Sequence, residues 1–155
     1  MKEELNHEYF MNLALEEAEK ALQSGEVPVG CIIVGPDNQI IAKGYNSPIS
    51  TNDVTAHAEV LALKQACQSI KNYRFPKGTR VYVTLEPCLM CTGALLQARI
   101  SSLHIATIDS RKNSIHREID LFNSHYFNHK IEIHYGIKQT ESKNLLDNFF
   151  SQRRK

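Results

Sequence analysis

A strand that runs straight into a proline constrains this chain most. Arg80–Leu85 sets Val81, Val83 and Leu85 against Tyr82 and Thr84, the alternation of a strand. Pro87 then stops it, and suits the first turn of a helix, where its missing N–H would have had no partner anyway. The spacing predicts that helix from about Cys88 to Ala98, with a further strand at Ser102–Thr107. Strands separated by helices favour parallel pairing, with helices on both faces of the sheet.

The remaining segments fit that frame. Phe10, Leu13, Ala14, Ala18, Ala21 and Leu22 recur at helical spacing. They predict a helix over 7–24 with Glu16, Glu17 and Glu19 on its wet side, Asn6 as its cap and Gly25 at its end. Val29–Val34 and Gln39–Tyr45 flank the turn Gly35-Pro36-Asp37-Asn38 and read as a hairpin. Asn46–Val54 reads as a loop, and Ala56–Ile70 as a helix with Val60, Leu61, Leu63 and Ala66 inward. Ile131–Ile137 is another strand, and Glu141–Gln152 a last helix with Leu145, Leu146, Phe149 and Phe150 on its apolar side. Asp109–Asn128 carries the weakest pattern and is expected to be partly helical near Glu118–Asn123. The expected fold class is α/β: a three-layer α/β/α sandwich around a mixed sheet of about five strands, in one domain spanning residues 1–155.

Composition narrows the function classes. At 155 residues the chain can bury one real core without disulfide staples. Its 42% hydrophobic and 23% charged residues match globular averages, which excludes disordered and fibrous classes. No apolar run approaches the roughly 20 residues of a membrane span, so no membrane partner is expected. Met1–Leu5 has no apolar signal-peptide core, which makes the cytoplasm the expected location. The net charge of +1 gives no overall nucleic-acid signal. Its distribution is uneven, since seven glutamates stand against two lysines in residues 1–26 and the chain ends Arg153-Arg154-Lys155. That polarity leaves room for a local basic face, or for a merely solubilising tail.

Four cysteines are present, and only Cys88 and Cys91 have ligand-like spacing. Cys31 in the run Val29–Val34 and Cys67 on an apolar helix read as small core residues. A Cys-x-x-Cys at a helix N-terminus points two thiolates at one ion, and the helix dipole stabilises both anions. His57, at the start of another helix, supplies a third ligand. Three protein ligands and one open position make a catalytic zinc site, whereas a structural site closes with a fourth ligand. Glu59 lies two residues after His57, so its carboxylate need not bind the metal and can reach the open position as a general base and acid. Taken singly these pieces are weak: a Cys-x-x-Cys can be redox-active or structural, and a His-x-Glu says little. Their order, His-x-Glu and then Pro-Cys-x-x-Cys with a strand between, is the signature of zinc deaminases acting on nucleobases.

With these residues in view the chain resembles the bacterial tRNA-specific adenosine deaminases over nearly its whole length. The likeness is carried by Gly25-Glu26-Val27-Pro28-Val29-Gly30, Gly44-Tyr45-Asn46, Asp53–Glu59, Tyr82–Cys88, Asn128-His129 and Phe149-Phe150-Ser151-Gln152-Arg153-Arg154. The zinc motif alone would fit the wider superfamily, which includes deaminases of cytosine, guanine, deoxycytidylate and a riboflavin precursor. The Asn-His pair and the Phe-Phe-x-x-Arg-Arg ending favour the tRNA family within it. The resemblance implies a cytidine deaminase-like fold and one Zn2+ per chain held by His57, Cys88 and Cys91, with Glu59 moving protons. It also implies that Asn46 hydrogen-bonds the target nucleoside, that Val29 walls the base pocket and that Asp109 sits beside the ribose and flanking nucleotide. Phe149, Arg153 and Arg154 would contact the anticodon stem-loop. The implied partners are an arginine tRNA and a second copy of the chain in a homodimer, and the implied reaction converts adenosine to inosine at the wobble position.

The chain also departs from the family. The usual Gly-Ala-x-Asp-x-Lys-x-Gly-Ala stretch is Ala106–Ser114 here; Asp109 stays, Arg111 keeps the positive charge, and Ala106 and Asn113 replace both glycines. Ser47 stands where arginine is common. Two other readings are carried forward: a small-molecule deaminase of free cytosine or guanine, with no role for the basic C-terminus, and a zinc-stabilised binding module, with a fourth protein ligand and a dispensable Glu59.

Overall fold

Two glycines set how closely helices approach the sheet. In the computed structural model, which describes residues 2–109, 122 and 127–153, strands β1 (Gly30–Val34) and β2 (Ile40–Tyr45) form an antiparallel hairpin that pairs Cys31 with Gly44. Helix α1 (Lys2–Gln23) crosses one face of this hairpin and α3 (Ala58–Ile70) crosses the other. A Cβ at Gly30 would lie 1.9 Å from the Ala14 carbonyl oxygen, and one at Gly44 would lie 2.4 Å from that of Ala58. Neither helix could sit where it does over a side chain.

The sheet has five strands in the order β2-β1-β3-β4-β5. β3 (Arg80–Leu85) pairs antiparallel with β1, while β4 (Ser102–Thr107) and β5 (Glu132–Tyr135) join in parallel. Helix α4 (Leu89–Ala98) connects β3 to β4 and packs beside α3, and the last helix, α5 (Gln139–Arg153), packs beside α1. The result is the expected α/β/α sandwich. Cys31, Ile33, Val81, Val83, Leu103 and Ile105 face α3 and α4, with Ala62 and Leu95 among the residues that cover them. Ile32, Val34, Tyr82 and Ala106 face α1 through Phe10, Met11 and Ala14. Each central strand is therefore buried on both faces. Among the described residues no helix is long and apolar enough to cross a membrane.

Several expectations change. Helix α1 begins at Lys2, so Asn6 lies inside it; nothing in Lys2–Leu5 breaks a helix. Glu17, expected on the wet side, is 4% exposed and takes the Lys20 ammonium at 3.1 Å. The segment read as a loop over 46–54 contains a one-turn helix, α2 (Pro48–Thr51), with proline at its first position. Pro87 stands one residue before the N-cap of α4, which is Cys88, and thus outside the first turn. Val60 and Leu61 are half-buried, and the α3 side chains that reach the core include Ala62, Leu63 and Ala66. Cys31 is in the core as expected, but Cys67 is only partly covered. β5 is shorter than expected because Gly136 (φ 104°) and Lys138 (φ 59°) turn the chain into α5. The helix expected near Glu118–Asn123 falls outside the described residues, except for Phe122, which is buried.

Candidate active site

Two helix starts meet at one point. His57 is the N-cap of α3 and Cys88 the N-cap of α4, and neither side chain caps its own helix. Both side chains are turned instead toward each other. His57 Nδ1 lies 3.6 Å from Cys88 Sγ and 3.6 Å from Cys91 Sγ, and the three ligand atoms are all within 4.8 Å of one another. Bond lengths of about 2.05 Å to nitrogen and 2.3 Å to sulfur at a tetrahedral angle put N and S roughly 3.6 Å apart, so this donor set fits one zinc ion. Among the described residues it is the only cluster of histidine, cysteine or acidic groups close enough to hold a metal. No fourth protein ligand closes it, which removes the structural-zinc expectation within those residues.

The thiols are strongly coupled. Cys88 is lowered to about 5, first because it accepts a hydrogen bond from the Cys91 thiol, with the backbone N–H groups of Cys91 and Met90 and the His57 ring adding to the effect against burial. Cys91 moves well above the usual thiol range, chiefly because it donates to Cys88 and is buried. Glu59 is 3% exposed. Burial is the main cause that raises its carboxyl to about 7; Cys88 adds to this, while Glu59's own backbone N–H, Cys91 and His57 oppose it. A carboxyl at that value carries or gives up a proton with little cost at neutral pH.

The loops around the metal cluster are built by short-range hydrogen bonds. Asp53 Oδ1 accepts from the backbone and hydroxyl of Thr55 and shapes the approach to His57. Asn46 is half-buried, and its Oδ1 accepts from the Ala58 backbone N–H at 2.8 Å. That contact fixes which way the amide points, because the oxygen is committed and the NH2 group is directed elsewhere. Val29 is buried at the mouth of β1, and its carbonyl accepts from the Asn46 N–H. The half-buried Asp109 donates its backbone N–H to Glu86 Oε1 at the end of β4.

One positioning residue was not singled out from sequence. The Glu26 carboxylate is buried and accepts from the Ile49 and Ser50 backbone N–H groups and from the Ser50 hydroxyl. These are the unpaired donors of the first turn of α2, so a residue just after α1 caps a helix more than twenty positions away. Its only sequence trace is an acidic residue placed between Gly25 and the apolar Val27–Val29.

The C-terminal residues behave differently from one another. Phe149, expected at the RNA surface, is 7% exposed and packs under the Arg153 guanidinium, which lies 4.5 Å above its ring. Burial of this ring anchors α5 and leaves little of it to meet a ligand. Arg153 is exposed and donates to the Gly25 carbonyl at 2.5 Å, tying α5 to the loop that carries Glu26. Arg154 lies outside the described residues.

This geometry has counterparts among known proteins. The family model for the cytidine and deoxycytidylate deaminase zinc-binding region matches residues 4–107. A tRNA-specific adenosine deaminase from Haemophilus influenzae is 41% identical over 147 residues, covering 95% of this chain and 84% of that protein. One from Aquifex aeolicus is 39% identical over 150 residues, covering 97% of each. A structure solved in a study of A-to-I editing by tRNA:A34 deaminases at the wobble position of transfer RNA superposes with a TM-score of 0.83 at 37% identity, covering 89% of this chain and 99% of that one.

Proposed function

The chain belongs to the cytidine and deoxycytidylate deaminase family and, within it, to the tRNA-specific adenosine deaminases, and on that ground we propose that it hydrolyses adenosine to inosine at the wobble position of a tRNA anticodon loop. The observation that carries the chemistry is the buried Glu59 beside a three-ligand set with zinc spacing. His57, Cys88 and Cys91 would hold the metal. Zinc, when bound, brings the pKa of a water at its open position toward neutrality. Glu59 takes a proton from the attacking water and delivers one to the departing amino group, so that water replaces the C6 amine and ammonia leaves. Its burial suits both halves of this task, since a carboxyl near neutrality returns the proton as readily as it takes it.

Asn46 presents its NH2 group to the target nucleoside, its oxygen being held by Ala58. Val29 walls the base pocket, and Asp109 lies beside the ribose and flanking nucleotide. Arg153 and Arg154 are the residues assigned to contact the stem-loop. An anticodon loop is already single-stranded, so little unpairing energy opposes entry of its base into a pocket. The substrate is an arginine tRNA and the location is the cytoplasm. The protein works as a homodimer through α3 and α4. Supporting this, Val60, Leu63, Cys67, Ala94 and Ala98 line an apolar groove of about 450 Å³ on that face, with the exposed Tyr73 at its edge.

Ammonia release from an anticodon stem-loop, compared with free adenosine, cytosine and guanine, tests the reading. Turnover on the stem-loop and none on the free bases is the expected result. Faster turnover on free cytosine or guanine would replace RNA with a small-molecule substrate.

A further inference from the structure

At the far end of α4 from the zinc ligands lies a polar cavity of about 180 Å³, lined by Arg74, Gln97, Arg99, Asn128 and His129 over a floor of Leu96 and Phe127. Three separate segments build it. Arg74 comes from the loop after α3. Arg99 is the left-handed C-cap of α4 (φ 62°), a conformation that turns the chain sharply there. Asn128 and His129 lead into β5. His129 Nε2 donates to the Ile100 carbonyl at 2.6 Å, which fixes the ring and leaves Nδ1 as its second polar atom.

The charge of this cavity is one-sided. Arg74 and Arg99 are both exposed. Among the described residues no carboxylate lies within ion-pair distance of either guanidinium, and no acidic residue lines the cavity. Arg74 makes one ring contact, its guanidinium lying 5.2 Å from the Tyr73 centroid. Two forked donors with amide and imidazole groups beside them match the oxygens of a phosphate. The lining is mostly polar, and its two rings, Phe127 and His129, are both half-buried, with His129 held by its bond to the Ile100 carbonyl, so the cavity suits a backbone group better than a stacked base. Asn128-His129, part of the likeness to the tRNA family, has no role in the deamination described above.

We propose that this cavity is a second RNA contact, in which Arg74 and Arg99 take a backbone phosphate of the tRNA outside the anticodon loop, with Asn128 and His129 completing the cradle. The inference rests on the RNA-substrate reading. Helix α4 has ten residues, so its two ends are roughly 15 Å apart. That separation lets one end meet the edited base while the other meets the strand leading away from it.

The test measures stem-loop binding at several salt concentrations for the wild type, the double variant Arg74→Gln/Arg99→Gln and the double variant Arg74→Lys/Arg99→Lys. The Gln pair should lower the slope of log K against log salt by about 0.7–0.9 per arginine and weaken affinity. Its zinc content, unfolding midpoint and kcat at saturating stem-loop should be unchanged. The Lys pair should keep the slope, because it keeps the charge. If the wild type binds and deaminates the stem-loop and the Gln pair has the same slope and affinity, the phosphate contact is refuted and the RNA reading stands. The contact is equally refuted if the Lys pair shifts the slope as much as the Gln pair, since the arginines would then act through shape alone. A wild type that neither binds nor deaminates the stem-loop overturns both readings. Calorimetry with inorganic phosphate separates the remaining source: phosphate binding lost in the Gln pair, with an unaltered stem-loop slope, makes this a free-phosphate site.

Discussion

Glu59 and His104 are both buried ionisable groups, and burial moves them in opposite directions for the same reason: each is driven toward its neutral form. For Glu59 that places a carboxyl near neutrality beside the three-ligand cluster. Glu59→Gln keeps the shape and removes the proton chemistry. It should retain zinc and the unfolding midpoint while losing about 10²–10⁴-fold in kcat, measured as ammonia release. His104 sits in a column of stacked rings, 4.4 Å from His7, 4.6 Å from Tyr82 and 4.8 Å from His134 between centroids. Its Nδ1 is buried without a partner, and Nε2 meets the Ser102 hydroxyl. Burial first, then His7, His134 and Arg80, lower it from 6.5 to about 3. The folded chain therefore binds this proton less readily than the unfolded chain. The stability it confers is complete above about pH 6.5 and is lost as pH falls from there toward about 3. Between pH 7.5 and 5.5 this group should cost about 1.4 kcal/mol. His104→Phe keeps a ring in the column and cannot titrate, so its urea midpoint should fall less than the wild type's over that interval.

Helix α3 carries Glu59 and starts from His57, its N-cap, and its depth over the hairpin is set by Gly44. A methyl there would meet the Ala58 oxygen at 2.4 Å and the Ala62 nitrogen at 2.9 Å, both backbone atoms that cannot rotate aside. Gly44→Ala should destabilise by about 1–3 kcal/mol and lower zinc content and kcat together, because the ligand and the carboxylate move with the helix. Gly93 offers the contrast. It lies inside α4 with nothing within 4 Å of an added Cβ, so Gly93→Ala should gain up to about 1 kcal/mol. Thermal melts of the two variants separate close packing from helix propensity. The sequence shows such elements unevenly. β3, the α4 start and the hairpin were legible because alternation, a proline and a turn tetrapeptide are local signals. The zinc cluster was legible because His57, Cys88 and Cys91 each sit at or near a helix start that the sequence marks. The burial of Glu17, the capping of α2 by Glu26 and the pairing of Arg153 with Gly25 were not, since each depends on a partner that only the packed chain supplies. Resemblance alone extended the list to Asn46, whose Oδ1 accepts from the Ala58 N–H, and to Phe149, whose ring is buried; neither residue carries a local sequence signal of its own for such a role.

At the scale of the whole molecule the sandwich is unequal on its two sides. The α1 and α5 side is tied across the sheet, with the Ser142 hydroxyl donating to the Thr84 carbonyl at 2.6 Å. The α3 and α4 side keeps an apolar groove. Sedimentation should give about twice the 17.6 kDa chain mass. Ala94→Arg, which places a charge in that groove, should give the single-chain mass with the unfolding midpoint of the isolated chain preserved. The two helix N-caps that lack side-chain caps have a consequence of their own. Metal binding and the ordering of α3 and α4 are linked equilibria: an ion gripped by His57 and Cys88 fastens the starts of both helices at once. Free zinc at 100 times its dissociation constant would add about 2.7 kcal/mol to the folded state. Stripping it with a chelator, or removing a ligand by Cys91→Ala, should therefore speed hydrogen exchange at the amides of residues 58–61 and 89–92 together, while the amides of β1 and β3 beneath keep their protection. In this chain the cofactor of the chemistry is also a clasp for the scaffold, and a cell short of zinc would hold a looser protein as well as an idle one.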